Sequence, residues 1–268
     1  MADLTGYKFI KNDGVGVVVE YNTLVKKYTS GVSKIRVNSF STIKGLCRNN
    51  QKNGSSTEEQ LERYREKRVY KRQEQIRDLA YNFTDWEYFV TLTFNDEFMD
   101  NDYSHDKAIK LLTKWIDNQK HQNPDMTYIL VPELHKSGRL HFHGLFARLK
   151  NWKLSPAVSP SGRAIIKNGS RIYNLTNYKL GFTTVSMIKD IDKVSFYISK
   201  YMTKELLNLK NKKNFWHSKN LLYPQENYFL TDLSDVKDFL SEYTTLHENT
   251  TERGNSMSFY ANYRTSDN

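Results

Sequence analysis

Two apolar runs of strand length, Thr127–Leu134 and Leu140–Ala147, stand on either side of the polar stretch His135-Lys136-Ser137-Gly138-Arg139. The pattern predicts two adjacent strands joined by a turn. Side chains alternate along a strand, so His141 and His143 point to one face, while Leu140 and Phe142 point to the other. With the turn centred on Ser137, Glu133 lies across from His141, and one carboxylate and two imidazoles share a face. On rigid neighbouring strands, that set makes an open metal site with positions left for substrate. A His-x-His strand by itself is more often a surface or structural pair, and Glu133 on the facing strand is what tips the reading. Gly144, having no Cβ, lets another stretch of chain come close. His135 sits in the turn and is expected to be exposed.

The rest of the chain supplies what such a hairpin packs against. Residues 1–45 read as short strands, with Asn12-Asp13-Gly14 as a turn. A polar linker over 46–56 leads to a helix opened by a capping box, Ser56 with Glu59 or Thr57 with Gln60, and running to about Phe83. The front half of this helix is nearly all charge. Only Ile76, Leu79, Ala80 and Phe83 form an apolar stripe. A solvated helix laced by ion pairs and a DNA-backbone contact fit the front half equally well.

Residues 88–94 alternate as a strand, and Ser104 is placed to cap a helix with Ala108, Ile109, Leu112, Trp115 and Ile116 on one face. Residues 150–170, rich in Pro and Gly, read as an insertion or loop, 181–188 as a strand, and about 192–209 as a helix. This order predicts an α+β fold: an antiparallel sheet with flanking helices, a split βαβ of ferredoxin-like type. The expected segments are a β-rich N-terminal extension (1–56), a charged helix (57–84) and the core (85–210). A C-terminal stretch (211–268) follows, with a basic and aromatic segment, a short helix and a polar tail.

The last helix of the core carries a second pattern. Tyr197 and Tyr201 are four residues apart and share a helix face, and Lys200 and Lys204 repeat at the same spacing. A phenol with a pKa of about 10 is a poor nucleophile at neutral pH. A nearby cation favours its phenolate, and a metal or Lys aimed at phosphoryl oxygens stabilises the charge that develops when a phosphodiester is attacked. Val194, Ile198 and Met202 face the sheet, and a tyrosine at the edge of such a core stripe is commonplace, so this pattern too is weak alone.

Charge points the same way. Lys and Arg number 40 against 30 Asp and Glu, a net +10 over 268 residues, with a pI near 9.4. A surplus of this size favours a polyanion as partner, nucleic acid before an anionic membrane. Lys210, Lys212 and Lys213 with Phe215 and Trp216 combine cations for phosphate with rings for base stacking, and an ordinary basic loop with a buried Trp fits them as well. The lone Cys47 permits no intramolecular disulfide and no cysteine zinc finger, which suits a reducing cytosol. No GxxxxGK[ST] motif occurs, so no ATPase motor of that class is expected. Neither a signal peptide nor a membrane span is expected either.

Three motifs in order, Phe89-Val90-Thr91-Leu92-Thr93-Phe94, His141-Phe142-His143 and the doubled Tyr-x-x-Lys, resemble those of the HUH-endonuclease replication initiators of rolling-circle plasmids and single-stranded-DNA phages. The resemblance covers about residues 86–210, and the tyrosine pair resembles the two-tyrosine type. It implies metal-dependent nicking of one origin strand by a tyrosine, a 5′-phosphotyrosyl intermediate, a free 3′ hydroxyl, and later strand transfer. By position, it implies Glu133, His141 and His143 as ligands of Mg²⁺ or Mn²⁺ and Tyr197 and Tyr201 as nucleophiles used in turn. Lys200 and Lys204 would orient or stabilise. Imidazole ligands alone would suggest softer metals, so the metal rests on the resemblance.

The implied partners are single-stranded and origin DNA with a host helicase and polymerase, in the bacterial cytoplasm. Single-tyrosine plasmid initiators use only one such residue, and a chain following them would keep the other for structure. The alternatives are a relaxase or transposase of the same chemistry, or a catalytically silent nucleic-acid-binding module.

Overall fold

A computed structural model describes residues 8–12, 15–41, 57–98, 103–208, 214–229, 231, 233–253 and 256–265. In chain order the elements are β1 (Lys8–Asn12), β2 (Val15–Lys27), β3 (Val32–Ser41), α1 (Thr57–Tyr81), β4 (Tyr88–Leu92), α2 (His105–Gln122), β5 (Thr127–Leu134), β6 (Leu140–Ala147) and β7 (Leu154–Pro156). There follow β8 (Ile166–Lys167), β9 (Ser170–Arg171), β10 (Tyr173–Leu175), β11 (Thr183–Met187), α3 (Ile191–Ser199), β12 (Trp216–His217), β13 (Gln225–Phe229), α4 (Leu233–Ser241), β14 (Thr245–Arg253) and β15 (Ser256–Arg264). They form two compact units, one from both chain ends (1–55 and 224–268), the other from residues 56–223. No helix among the described residues is long and apolar enough to cross a membrane.

The unit of the chain ends is one antiparallel sheet in the order β1-β2-β3-β15-β14, with β13 beside the second half of β2. The helix α4 buries Val236 and Leu240 in a core with Val25, Ile35, Val37, Phe259, Ala261 and Tyr263. Residues 245–264, expected as a polar tail, form the β14–β15 hairpin instead. Their composition is polar, yet Phe259, Ala261 and Tyr263 alternate and are the residues buried, which is the strand signal that overall polarity hides. The capping residue Ser56, the turn residues Asp13 and Gly14, and Cys47 lie outside the described residues.

The second unit carries a sheet in the order β12-β5-β6-β4-β11-β10-β7, antiparallel throughout. β4 and β5 each run antiparallel to β6 between them, so they are parallel to each other and joined through α2, which makes the split βαβ. The helix α2 buries Ala108, Ile109, Leu112, Trp115 and Ile116, with Trp115 edge-on to Phe146 at 6.2 Å. Ser104 stands at its N-cap without a side-chain cap bond. On the opposite face lies α3, with α1 packed along it. Ile76, Leu79 and Ala80 of α1 and Ile198 and Met202 are fully buried in the same core.

The helix expected over about 192–209 stops at Ser199. Met202 N–H donates to the Ser199 carbonyl at 3.1 Å, a tightened turn, and a short 3₁₀ turn follows at Glu205–Asn208. Contacts from α1 hold this break. Gln73 Nε2 donates to the Met202 carbonyl at 2.9 Å, and the Lys204 ammonium is taken by Glu62 and Glu66. Tertiary partners thus override local helix propensity.

Two glycines let the sheet close. A Cβ on Gly144 would stand 2.6 Å from Leu130 Cδ2 and 2.7 Å from Phe146 Cε2, on the α2 side. A Cβ on Gly181 would stand 2.3 Å from the Thr93 carbonyl oxygen and 2.8 Å from Phe94 Cα, where backbone cannot yield as a side chain can. Overpacking of this kind costs about 1–3 kcal/mol. Gly181→Ala is expected to lower the urea midpoint of unfolding, and to lower it more than Gly144→Ala does.

Candidate active site on the open sheet face

Strand register assembles the site. Glu133 pairs with His141 across β5–β6, and His143 pairs with Val131 on one side and Thr91 of β4 on the other. Because alternate residues share a face, Glu133, His141, His143, Thr91 and Phe89 all lie on the face away from α2. His143 is 6% exposed. Its Nε2 stands 2.7 Å from Glu133 Oε2, and its Nδ1 stands 3.1 Å from Thr91 Oγ1. An ionised carboxylate only accepts, so the Nε2–H donates to Glu133 and Nδ1 takes the Thr91 hydroxyl proton. Burial holds the His143 imidazole below its ordinary pKa, against the pull of Glu133.

The tyrosines come down onto this face from α3 and the turn after it. Asp190 caps α3 by accepting from the Lys193 N–H at 3.0 Å, which fixes the start of the helix. Tyr197 is 45% exposed. Tyr201, just beyond the helix end, stacks flat on His143 with ring centroids 3.5 Å apart and an interplanar angle of 11°. Its hydroxyl donates to the Tyr197 hydroxyl at 2.7 Å. Phe89 completes the cluster, 5.3 Å from the Tyr197 ring and 6.0 Å from the His143 ring. Burial raises the Tyr201 phenol above its usual range, and the bond to Tyr197 and the charge of Glu133 add to the rise. Tyr201 is therefore the inner, protonated member of the pair, and Tyr197 the outer one.

The other residues singled out from the sequence are placed as follows. The His141 ring is stacked on His135 at 4.8 Å, and His135 is exposed. Lys200 is exposed at the C-cap of α3. The structure does not bring Lys204 to the tyrosine hydroxyls as a free cation, because Glu62 and Glu66 hold its ammonium. Trp216 is 9% exposed, paired opposite Leu130 and edge-on to Phe142 at 5.7 Å. As a core residue on the α2 side, it is not free to stack on a base. Lys210, Lys212 and Lys213 lie outside the described residues. Thr91 and Phe89 belong to the first motif, yet only the strand pairing gives them their roles.

Among the described residues, no group of three or more His, Cys, Asp or Glu side chains stands arranged to hold a metal ion. The donor chemistry nonetheless fits a divalent cation. A carboxylate oxygen and an imidazole nitrogen already meet at 2.7 Å, and the second imidazole shares their face opposite the same Glu. What keeps the set from converging is the His141 ring, turned onto His135.

Residues 87–206 match a family model described as a replication-associated protein of the ORF2 type. The matched stretch runs from just before β4 into the 3₁₀ turn after α3 and contains every side chain of the cluster. Over this part the chain is similar to replication-associated proteins. No curated protein and no solved structure matches it.

The hydrogen bonds of His143 set its tautomer. In metal-free protein at neutral pH, long-range ¹H–¹⁵N correlation spectra are expected to show His143 protonated at Nε2. Glu133→Gln, whose amide can donate as well as accept, is expected to erase that preference. A wild-type ring protonated at Nδ1 would contradict the assigned hydrogen bonds.

Proposed function

We propose that this chain initiates DNA replication by nicking one strand. The Tyr197 oxygen attacks a backbone phosphorus and forms a P–O bond. The bond from phosphorus to the 3′ oxygen of the preceding nucleotide breaks. The phenolic proton leaves to solvent, the departing oxygen takes up a proton, and a free 3′ hydroxyl and a 5′-phosphotyrosyl linkage result. Tyr201 acts on a second phosphate in the same way, and attack of a 3′ hydroxyl on a phosphotyrosine rejoins the strand and frees the phenol. A host helicase and polymerase would supply unwinding and synthesis.

The observation that carries this reading is the stack of Tyr201 on His143. It joins the two halves of the pattern, phenols and metal-type donors, on one face. The two come from distant parts of the chain and have no packing need to meet there. The match to replication-associated proteins over the same residues supports the biological setting.

Glu133, His141 and His143 are the residues that would hold a divalent cation, Mg²⁺ or Mn²⁺. When bound, such an ion supplies Lewis-acid polarisation of a phosphoryl oxygen. The chain's own groups do the rest. The Tyr201 hydroxyl, donating to Tyr197, stabilises negative charge as it gathers on the attacking oxygen. Phe89 and His143 wall the phenols on the sheet side, so that attack is directed outward. Of the two motif lysines, Lys200 is the one left to meet phosphate, and Lys204 anchors the Tyr201 turn to α1.

The test uses a random-sequence pool of single-stranded oligonucleotides labelled at the 3′ end, with Mn²⁺, a denaturing gel, and mapping of the labelled peptide. Wild type is expected to give a covalent adduct on the Tyr197 peptide, and Tyr197→Phe to reduce it about 10²-fold or more. An adduct that persists in the double variant Tyr197→Phe/Tyr201→Phe would rule out the tyrosine assignment. Undiminished cleavage in EDTA would remove Glu133, His141 and His143 from the chemistry.

A further inference from the structure

Between Glu133 and Asp190 the sequence contains no Asp or Glu, but ten Lys and Arg, which equals the entire +10 surplus of the chain. The middle of this stretch is a built structure. β7 and β10 pair at the edge of the sheet, and from Ala157 to Ile172 the chain leaves that edge and returns as an arm. Backbone bonds hold it: Ala157 N–H to the Ile172 carbonyl, Ile165 N–H to the Ala157 carbonyl and Ile172 N–H to the Ile165 carbonyl, each at 2.9 Å. Its tip is the two-residue hairpin β8–β9, turning through Asn168 and Gly169 at φ 50° and 70°. Positive φ at both central residues gives the turn that matches strand twist.

The arm is directed by its contacts. β9 packs beside β11, and Lys189 Nζ reaches the Gly169 carbonyl at 3.3 Å. β11 is the strand next to β4, with Thr184 opposite Thr91 and Ser186 opposite Phe89, so its open side belongs to the tyrosine face. The charge of Lys167 is felt at His143, where it adds to burial in disfavouring the imidazolium. Arg163, Lys167 and Arg171 are exposed, and none has an ion-pair partner among the described residues. Ile166 at the tip is 67% exposed. By contrast, Lys204 is taken by Glu62 and Glu66 and Lys193 by Asp190.

We propose that the Ala157–Ile172 arm is a clamp for single-stranded DNA on the tyrosine face, with Arg163, Lys167 and Arg171 on backbone phosphates and Lys167 on the phosphate nearest His143. Unpaired cations beside exposed apolar and aromatic side chains, Ile166 on the arm and Tyr197 across the face, suit an unstacked strand, whose phosphates and bases are both accessible. Base pairing in a duplex would hide the base faces. The role of Lys167 in strand cleavage rests on the function proposed above, whereas the clamp itself is tested by binding alone.

Binding of a fluorescein-labelled, mixed-sequence single-stranded oligonucleotide is followed by anisotropy over a salt series. The variant Arg163→Ala/Lys167→Ala/Arg171→Ala is expected to bind at least about tenfold more weakly at low salt. Its log K against log salt slope should be shallower by up to about 2, since each lost phosphate contact removes about 0.7. Lys110→Ala/Lys114→Ala, on the exposed side of α2, is expected to match wild type. Circular dichroism checks that the variants fold. A slope unchanged in the arm variant, or no binding by wild type, overturns the clamp.

In the adduct assay at saturating oligonucleotide, Lys167→Ala is expected to slow adduct formation about tenfold or more and Lys167→Arg to restore most of it. An unchanged rate in Lys167→Ala would remove that residue from the phosphate nearest His143. Absence of an adduct even in wild type would count against the tyrosine chemistry, and the salt slope would still decide the clamp.

Discussion

A slip of one residue between β5 and β6 would carry Glu133 to the α2 face and leave both histidines without their carboxylate. Everything at the candidate site follows from that register. It sets Glu133 against His141, and the β6–β4 register sets Thr91 against His143, so that one imidazole has both nitrogens engaged. The register is itself held from the other side of the sheet. Leu140, Phe142 and Phe146 are buried toward α2, and a slip would turn all three to the open face. The apolar half of β6 thus fixes the polar half, and core packing is what aims the chemistry.

The two tyrosines share a motif and do not share an environment. Tyr201 lies against His143, gives its proton to a hydrogen bond with Tyr197 and feels the charge of Glu133. Each of these opposes loss of its proton while Tyr197 is intact. Tyr197 has one face on Phe89 and the rest toward solvent, and it receives a hydrogen bond. The asymmetry arises because α3 stops at Ser199. A helix continued through Tyr201 would have kept both phenols on one helical stripe, whereas the turn lets Tyr201 drop onto the sheet.

The legible parts of the fold are those written in local periodicity. Alternation marks the β5–β6 hairpin, a stripe of Ile76, Leu79 and Ala80 marks the buried half of α1, and another from Ala108 to Ile116 marks α2. The end of α3 is not legible, because Gln73 and Glu62, more than a hundred residues away, hold the segment that breaks it. Trp216 reads as a base-stacking ring in a basic run. Its pairing with β5, a partner distant in sequence, makes it core. Phe259, Ala261 and Tyr263 are diluted among polar neighbours, and their alternation matters more than their company. Lys167 sits in what reads as a loop, and only the pairing of β7 with β10 shows where that loop goes.

Total charge likewise says less than where it is neutralised. The front of α1, the most densely charged stretch of the chain, is committed to internal partners: Glu62 faces Arg65 and Lys204, and Glu66 also faces Lys204. Such exposed pairs contribute little to stability, at most about 1 kcal/mol each. Their effect is to take Lys204 out of circulation and fix the turn that carries Tyr201. The stretch from Leu134 to Lys189 has no acidic side chain of its own. Its cations flank the one face on which phenols, imidazole and carboxylate meet, so the field of the chain is strongest where an anionic backbone would have to pass.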